Sequence, residues 1–296
     1  MKLNLHLPRL FFKVSADHSL TAVRPSTDSK KLKSADNRGM ILSDFHIHSN
    51  FSDGKHSIPE IVDFYGKRGF GAIAITDHLC EEDSFLGKAA SYLERTLTSA
   101  TFPLYLEILK SEAERAWKNY KMVLIPGVEI TKNSFSNHRS AHVLGLGITE
   151  WVKADLSIEE ILISLRNQGA VTVAAHPISS RKLEKQTLHL WDRREELSSL
   201  FDAWEVGSGL NFYSEVARSG MPMIANTDLH RFSQINGWKS VVDSKNSQDS
   251  ILEAIKKQKI SFRFYEENHD PVPFPSSLAF VLGNHNSRDL ELISAN

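Results

Sequence analysis

The sequence predicts an α/β fold closed into a barrel, and three observations lead there. Short apolar runs alternate with helix-period segments from Ile41 to Tyr265, the pattern of strand–helix units around a largely parallel sheet. Seven such runs can be marked, and five of them end in His, Asp or Glu. Polar groups at the ends of many different strands belong to a barrel, whereas an open doubly wound sheet gathers them at one switch point. No Gly-rich phosphate loop follows the first run, which weakens the nucleotide-binding version of the open sheet.

Taken in order, residues 1–39 read as a disordered leader. Val14 to Asn37 is rich in Ser, Thr, Asp and Lys without periodicity, and Lys2, His6, Arg9 and Lys13 interrupt any secretory core. The folded domain is expected at 40–270. Ile41, Leu42, Phe45 and Ile47 make a buried strand that turns at Ser52-Asp53-Gly54. Ser57 then caps a helix, with Pro59 in its first turn and Glu60 at the capping-box position; Gly69 ends it. Ala72 to Thr76 is a second strand, delivering Asp77 and His78. Residues 79–121 hold two helical stretches broken near Pro103. Pro103 to Tyr120 is the better barrel helix, so 79–102 is an insertion whose surplus helix, Phe85 to Leu97, is expected at the barrel mouth as a partial lid.

Met122 to Val128 leads into Glu129, and Ala141 to Ile148 carries His142. Leu156 to Gln168 is a helix closed by Gly169, and Val171 to Ala175 runs to His176. A charged helical segment (Leu188 to Leu200) precedes a sixth strand at Phe201 to Val206. Phe212 to Ser219 is a short helix stopped by Gly220. Pro222 to Thr227 is the seventh strand, followed by Asp228 and His230. Ile251 to Lys257 reads as helix, Ile260 to Tyr265 as an edge strand, and 271–296 as a loosely ordered tail.

Composition bounds the function. The 296 residues carry 41% hydrophobic and 24% charged side chains with a formal net charge of −1, so the net charge gives no footprint for nucleic acid and leaves only a local patch open. A single cysteine, Cys80, excludes an internal disulfide framework and points to a reducing, cytoplasmic setting. No apolar run approaches the roughly 18 residues that a membrane span needs.

The candidate chemistry lies at the strand ends. His46 and His48 alternate on one strand and so share a face. Of thirteen histidines, six (46, 48, 78, 142, 176 and 230) lie on or just after an apolar strand, and Asp53, Glu129 and Asp228 sit in comparable places. Any one of them reads as hydrogen-bonded structure. Together they would leave many buried polar groups without partners unless they coordinate metal. Imidazole with carboxylate suits Zn, Mn or Fe better than Mg or Ca, and nine ligands imply two or three ions. Asp44, on the same strand face as His46, is either a second layer to that imidazole or a plain strand-start Asp. Arg139 and Arg181 are either phosphate clamps or surface arginines. His56 and His138 stand outside the pattern, Cys80 is a bystander, and Trp117, Trp191 and Trp204 read as packing residues.

His46-x-His48 with Ser52-Asp53-Gly54, Thr76-Asp77-His78, Gly127-Val128-Glu129, His142, Ala175-His176-Pro177 and Asp228-x-His230 together resemble the PHP (polymerase and histidinol phosphatase) family across residues 41–230. The resemblance implies a distorted (β/α)7 TIM-like barrel with a di- or trinuclear site that hydrolyses phosphate esters through a metal-bridging hydroxide. Carried over by motif, His46, His48, Glu129 and Asp228 would hold one ion. Glu129, His142 and His176 would hold a second, and Asp53, His78 and His230 a third. Glu129 and Asp228 would carry the catalytic role, and the substrate would be a small phosphorylated molecule or short nucleotide. A PHP-type nuclease, an amide hydrolase and a non-catalytic module are the alternatives. The spacing from His78 to Glu129 is longer than in compact members.

Overall fold

A computed structural model of the chain describes residues 11–14, 20–23, 39–82, 88, 95–178 and 187–267. Two units are distinguished, Met1–Asn37 and Arg38–Asn296. In the first, β1 (Phe11–Val14) and β2 (Leu20–Val23) pair antiparallel; the rest of the stretch read as a disordered leader, up to Arg38, lies outside the described residues.

The second unit runs β3 (Met40–Asp44), α1 (Ile58–Gly66), β4 (Ala72–Ile75), β5 (His78–Cys80), α2 (Phe102–Tyr120), β6 (Val123–Lys132), β7 (Ala141–Leu146) and α3 (Ile158–Asn167). It continues with β8 (Val171–Ala174), α4 (His189–Asp192), α5 (Arg194–Leu197), β9 (Ala203–Ser208), β10 (Asn211–Phe212), α6 (Ser214–Arg218), β11 (Met223–Asn226), β12 (Gly237–Asp243), α7 (Gln248–Lys256) and β13 (Ile260–Tyr265). The helix starts follow their caps. The Glu60 carboxylate accepts both the N–H and the hydroxyl of Ser57, at 2.8 and 2.7 Å, and Glu160 repeats the device with Ser157. The charged segment at 188–200 does not make one helix; it breaks into α4, α5 and a 3-10 turn.

One curled, mixed sheet orders its strands β10-β9-β8-β7-β6-β4-β3-β12-β13, with β11 beside β9 and β5 beside β6. β3, β4 and β6 are parallel neighbours, as are β8, β9 and β11. β7 breaks the expected (β/α)7 repeat by lying antiparallel to both β6 and β8. The reason is length: only residues 133–140 join β6 to β7, and a parallel crossover takes a dozen or more. The sheet curls until the ends of β3 and β11 meet at an isolated parallel bridge between Ile47 and Leu229. There the His48 N–H donates to Leu229 O (2.8 Å) and the Leu229 N–H to His46 O (3.1 Å).

Alternate residues of the strands feed two apolar clusters. Ala72 and Ala74 pack with Ile125, Leu144, Val173 and Ile224, and Ile251 and Ile255 of α7 close that side. Ile73 and Ile75 belong to the other cluster, with Tyr65, Tyr105, Leu109, Ile161 and Leu165 of α1, α2 and α3. A sheet apolar on both faces accounts for the continuous hydrophobic runs in its central strands. Trp204 is fully buried, whereas Trp117, on α2, is 45% exposed and lies outside the core. Most of the surplus helix expected at Phe85–Leu97, and the tail at 271–296, lie outside the described residues.

Candidate metal centre

The nine residues singled out in the sequence converge at the end of the sheet where β3 and β11 meet. His46 and His48 project from the extension of β3 with ring centroids 5.1 Å apart, while Ile47 between them joins the apolar cluster under α1 and α2. Asp53 is presented by a turn folded back on that extension. Ser52 and Gly54 N–H both donate to Ser49 O, at 3.1 and 3.0 Å. A Cβ on Gly54 would stand 2.2 Å from the His48 carbonyl oxygen, so only glycine fits there. Asp77, buried at the end of β4, accepts the Ser49 N–H, the Ser49 hydroxyl and the Ser52 hydroxyl at 2.6–2.8 Å and so pins the turn.

Glu129 occupies the middle. Its Oε1 lies 3.4 Å from His46 Nε2, 2.9 Å from His142 Nδ1 and 3.2 Å from His176 Nε2. Its Oε2 lies 3.5 Å from His48 Nε2 and 2.8 Å from His78 Nδ1. Asp228 Oδ1 stands 3.4 and 3.3 Å from the Nε2 atoms of His46 and His48. Asp53 Oδ1 sits 3.1 Å from His230 Nε2 and 3.5 Å from His78 Nε2. Three groups have ligand atoms close enough to share an ion: His46, His48 and Glu129; Glu129, His142 and His176; and His48, Asp53, His78 and His230. His48 thus faces two of them. Asp228 and His176 both have positive φ, 57° and 25°, a backbone conformation that non-glycine residues adopt at a cost and that collects at functional sites.

The donor set fits divalent ions. His46 Nε2, both ring nitrogens of His48, Asp53 Oδ1 and Glu129 Oε2 are buried and accept or donate no hydrogen bond among the described residues. Leaving such atoms unpartnered costs a few kcal/mol each, about 1–3, whereas coordination would use them all. Electrostatics point the same way. Burial opposes ionisation of Glu129, yet His142, His78 and His46 hold its carboxyl well below the usual range. Asp228 is lowered likewise against its own burial, chiefly by His46 and His48. Burial, with His230 and His78 nearby, drives His48 down to about 3. His230 goes the other way: despite burial, Asp53 and Asp228 push it up to about 9. Cys80 borders the same cavity, but burial raises its thiol to about 11, so it is no nucleophile at neutral pH.

Sequence reasoning missed Glu205. Fully buried on β9, it places Oε1 3.0 Å from His46 Nδ1, accepts the Asn226 side-chain N–H at 2.9 Å, and takes the His176 N–H on Oε2 at 2.7 Å. It therefore orients the His46 imidazole and also holds the backbone that carries His176. Its signal was present, a lone carboxylate inside the apolar run Ala203–Val206. Asp44 does not touch His46. It accepts the Tyr65 hydroxyl and the Thr227 N–H, at 2.8 and 2.9 Å, and also the Thr227 hydroxyl, so it acts on the backbone before Asp228. Arg139 is exposed on the turn before β7 and is absent from the cavity lining; Arg181 lies outside the described residues. His56 stacks on Phe232 with centroids 3.5 Å apart, and His138 pairs with Asp192 at 2.7 Å.

The sheet and this histidine–carboxylate centre form a candidate divalent-metal site, and part of the chain resembles known proteins. Residues 44–169 match the model of the PHP domain. It is 24% identical over 114 residues to a phosphoribosyl 1,2-cyclic phosphate 1,2-diphosphodiesterase of Eggerthella lenta, an alignment covering 38% of this chain and 34% of that relative. The chain thus matches about a third of that relative's length. Among solved structures it resembles a two-domain protein containing a predicted PHP-like metal-dependent phosphoesterase from Bacteroides vulgatus (20% identity, 76% of this chain and 65% of that one, TM-score 0.57). It also resembles PsfC from Pseudomonas syringae (16% identity, 83% and 97%, TM-score 0.51). At these identities the structural likeness establishes the fold alone.

Proposed function

We propose that this chain is a metal-dependent phosphoesterase that hydrolyses a small phosphorylated substrate or short nucleotide at a di- or trinuclear centre. The observation that carries the reading is Glu129 between five imidazoles, Oε1 facing His46, His142 and His176 and Oε2 facing His48 and His78. A carboxylate so placed would serve more than one ion, with His46, His48 and Asp228, His142 and His176, and Asp53, His78 and His230 as the residues that would hold them. Zn, Mn or Fe suits this nitrogen-and-oxygen set. Bound ions would supply Lewis-acid polarisation of the phosphoryl oxygens and an acidified water.

The protein's own contribution is positioning. Glu205 fixes the His46 ring, so that its Nε2 turns toward Glu129 and Asp228. Asp77 holds the turn that carries Asp53. The buried carboxylates and imidazoles keep their geometry before substrate arrives, so little reorganisation is needed in the transition state. No helix among the described residues is long and apolar enough to cross a membrane. The test is direct. Protein loaded with Mn2+ or Zn2+ is assayed against phosphate monoesters, cyclic and linear dinucleotides, short oligonucleotides and amide substrates, with bound metal counted by elemental analysis. Metal-dependent phosphate release is expected; turnover of amides alone, or none with two or more ions bound, would overturn it.

A further inference from the structure

A ligating histidine turns one ring nitrogen to its ion, and the partner of the other nitrogen decides which one that is. For His46 the partner is the Glu205 carboxylate, 3.0 Å from Nδ1. For His78 it is the Thr131 hydroxyl, 2.8 Å from Nδ1, but the same nitrogen also lies 2.8 Å from Glu129 Oε2, so two acceptors share it. At His176 a single residue takes this place, Thr187.

Thr187 is fully buried, and the chain just after it is anchored to the turn that leads into His142. There the Leu188 and His189 N–H groups donate to Asn137 O and Ser140 O, at 3.0 and 3.2 Å. The Thr187 hydroxyl donates to the His176 carbonyl at 2.9 Å and stands 3.2 Å from His176 Nδ1. A hydroxyl has one proton to give. With that proton on the carbonyl, the oxygen can only accept from the ring, so a neutral His176 carries its proton on Nδ1. Its Nε2 then presents a lone pair to Glu129 Oε1, 3.2 Å away. Two acceptors facing each other call for a cation between them, and His142 completes the group. His142 is turned the other way round, with Nδ1 2.9 Å from Glu129 Oε1 and Nε2 3.4 Å from Asn133 Oδ1. The His176 backbone is itself strained, with φ 25°. Glu205 holds its N–H at 2.7 Å, and Thr187 holds its carbonyl and its ring together.

Resting on the reading of this centre as metal-dependent, we propose that Thr187 is a positioning residue that commits His176 to the Nδ1–H form and so supplies Nε2 to the Glu129–His142–His176 group. Without the hydroxyl the ring can turn over or carry its proton on Nε2. One ion position then weakens, and the others keep their ligands.

The experiment titrates the full wild-type chain, Thr187→Val and Thr187→Ser with Zn2+ against a chromophoric chelator, and bound zinc is counted by elemental analysis. In Thr187→Val one binding step is expected to weaken by about 10–100-fold, the usual cost of losing an outer partner of a ligating histidine. That step should be the one that His142→Ala removes. Thr187→Ser keeps the hydroxyl and should bind as the wild type does. Unchanged affinity in Thr187→Val, equal losses in the valine and serine variants, or a loss spread over every step would overturn the role. If the valine variant does not fold, the ring itself decides, through two-bond 1H–15N correlation of the zinc-loaded wild type labelled at histidine. The His176 signals are those missing from His176→Asn. A protonated Nδ1 with zinc on Nε2 supports the proposal, and the reverse arrangement overturns it. A wild-type chain that binds no zinc would overturn the metal-dependent reading and this one with it, whereas zinc binding without cleavage of any phosphate ester would sink the phosphoesterase reading alone.

Discussion

Glu129, Asp228 and Glu205 show how differently three buried carboxylates can serve one centre. Glu129 and Asp228 face the imidazole nitrogens directly, so Glu129→Gln and Asp228→Asn each keep the shape and remove a negative ligand. Each is expected to cut turnover by a factor of about a hundred or more while moving Tm little, an interaction worth near 3 kcal/mol in the transition state; near-wild-type rates in metal-replete buffer would clear either residue of that role. Glu205 acts one step back, through His46 Nδ1 and the His176 N–H. Glu205→Gln should leave the ligands in place but lower metal affinity by about 10–100-fold, as is usual when an outer partner of a ligating histidine is changed. Metal titration against a fluorescent chelator reads that loss, and unchanged affinity would confine Glu205 to packing. The candidate ligands were legible because most lie at or just after the end of an apolar run, whereas Glu205 lies inside one and reads as an interruption. Asp44 was legible as a residue of interest and misread in its target, since strand alternation gives a face and not the partner across the seam.

At the scale of elements, the seam between β3 and β11 depends on that Asp44. It holds Thr227, the residue before the positive-φ Asp228, and draws in Tyr65 from α1. Lys239 of β12, fully buried, places its Nζ 3.6 Å from Asp44 Oδ2 and 2.9 Å from Ile235 O. Burial pulls the lysine pKa down, and Asp44 works against that. Asp44→Asn would leave a buried ammonium without its counter-charge, a loss of about 3–5 kcal/mol. Lys239→Met in the same background should recover part of it, because an apolar replacement has no charge to desolvate. Denaturant unfolding of the two single variants and the double measures the coupling; strictly additive losses would show that the pair does not act as a unit. β12 was not readable from sequence, because Lys239 and Ser240 interrupt its apolar pattern and its partner, β3, is some two hundred residues away. The reversal of β7 was also missed: its apolar content signals a strand but says nothing about direction, which the short 133–140 connection decides.

For the whole molecule, the strand–helix alternation made most of the sheet readable, and the candidate ligands too, because in a sheet buried on both faces most of its polar residues gather near the strand ends. Residues 40–270, expressed alone, are expected to fold and take up metal as the full chain does; an insoluble fragment, or one with markedly less metal, would move the boundary. The balance of charge in the centre yields the last prediction. In the metal-free protein His230 is raised from 6.5 to about 9, and His46, His78 and His176 are raised as well, by carboxylates that outweigh burial. A raised folded pKa contributes stability that is fully present below the unfolded value and lost as pH rises through the folded one. Chelator-treated protein should therefore lose Tm between pH 6.5 and 9. Metal requires the same histidines neutral, so the loaded protein should hold or gain Tm over that interval, and ion uptake at pH 7 should release protons. Thermal scans with and without chelator at pH 6.5, 7.5 and 8.5 test the divergence, and calorimetry in buffers of different ionisation enthalpy counts the protons. Parallel Tm profiles with no proton release would mean that metal does not bind at these histidines.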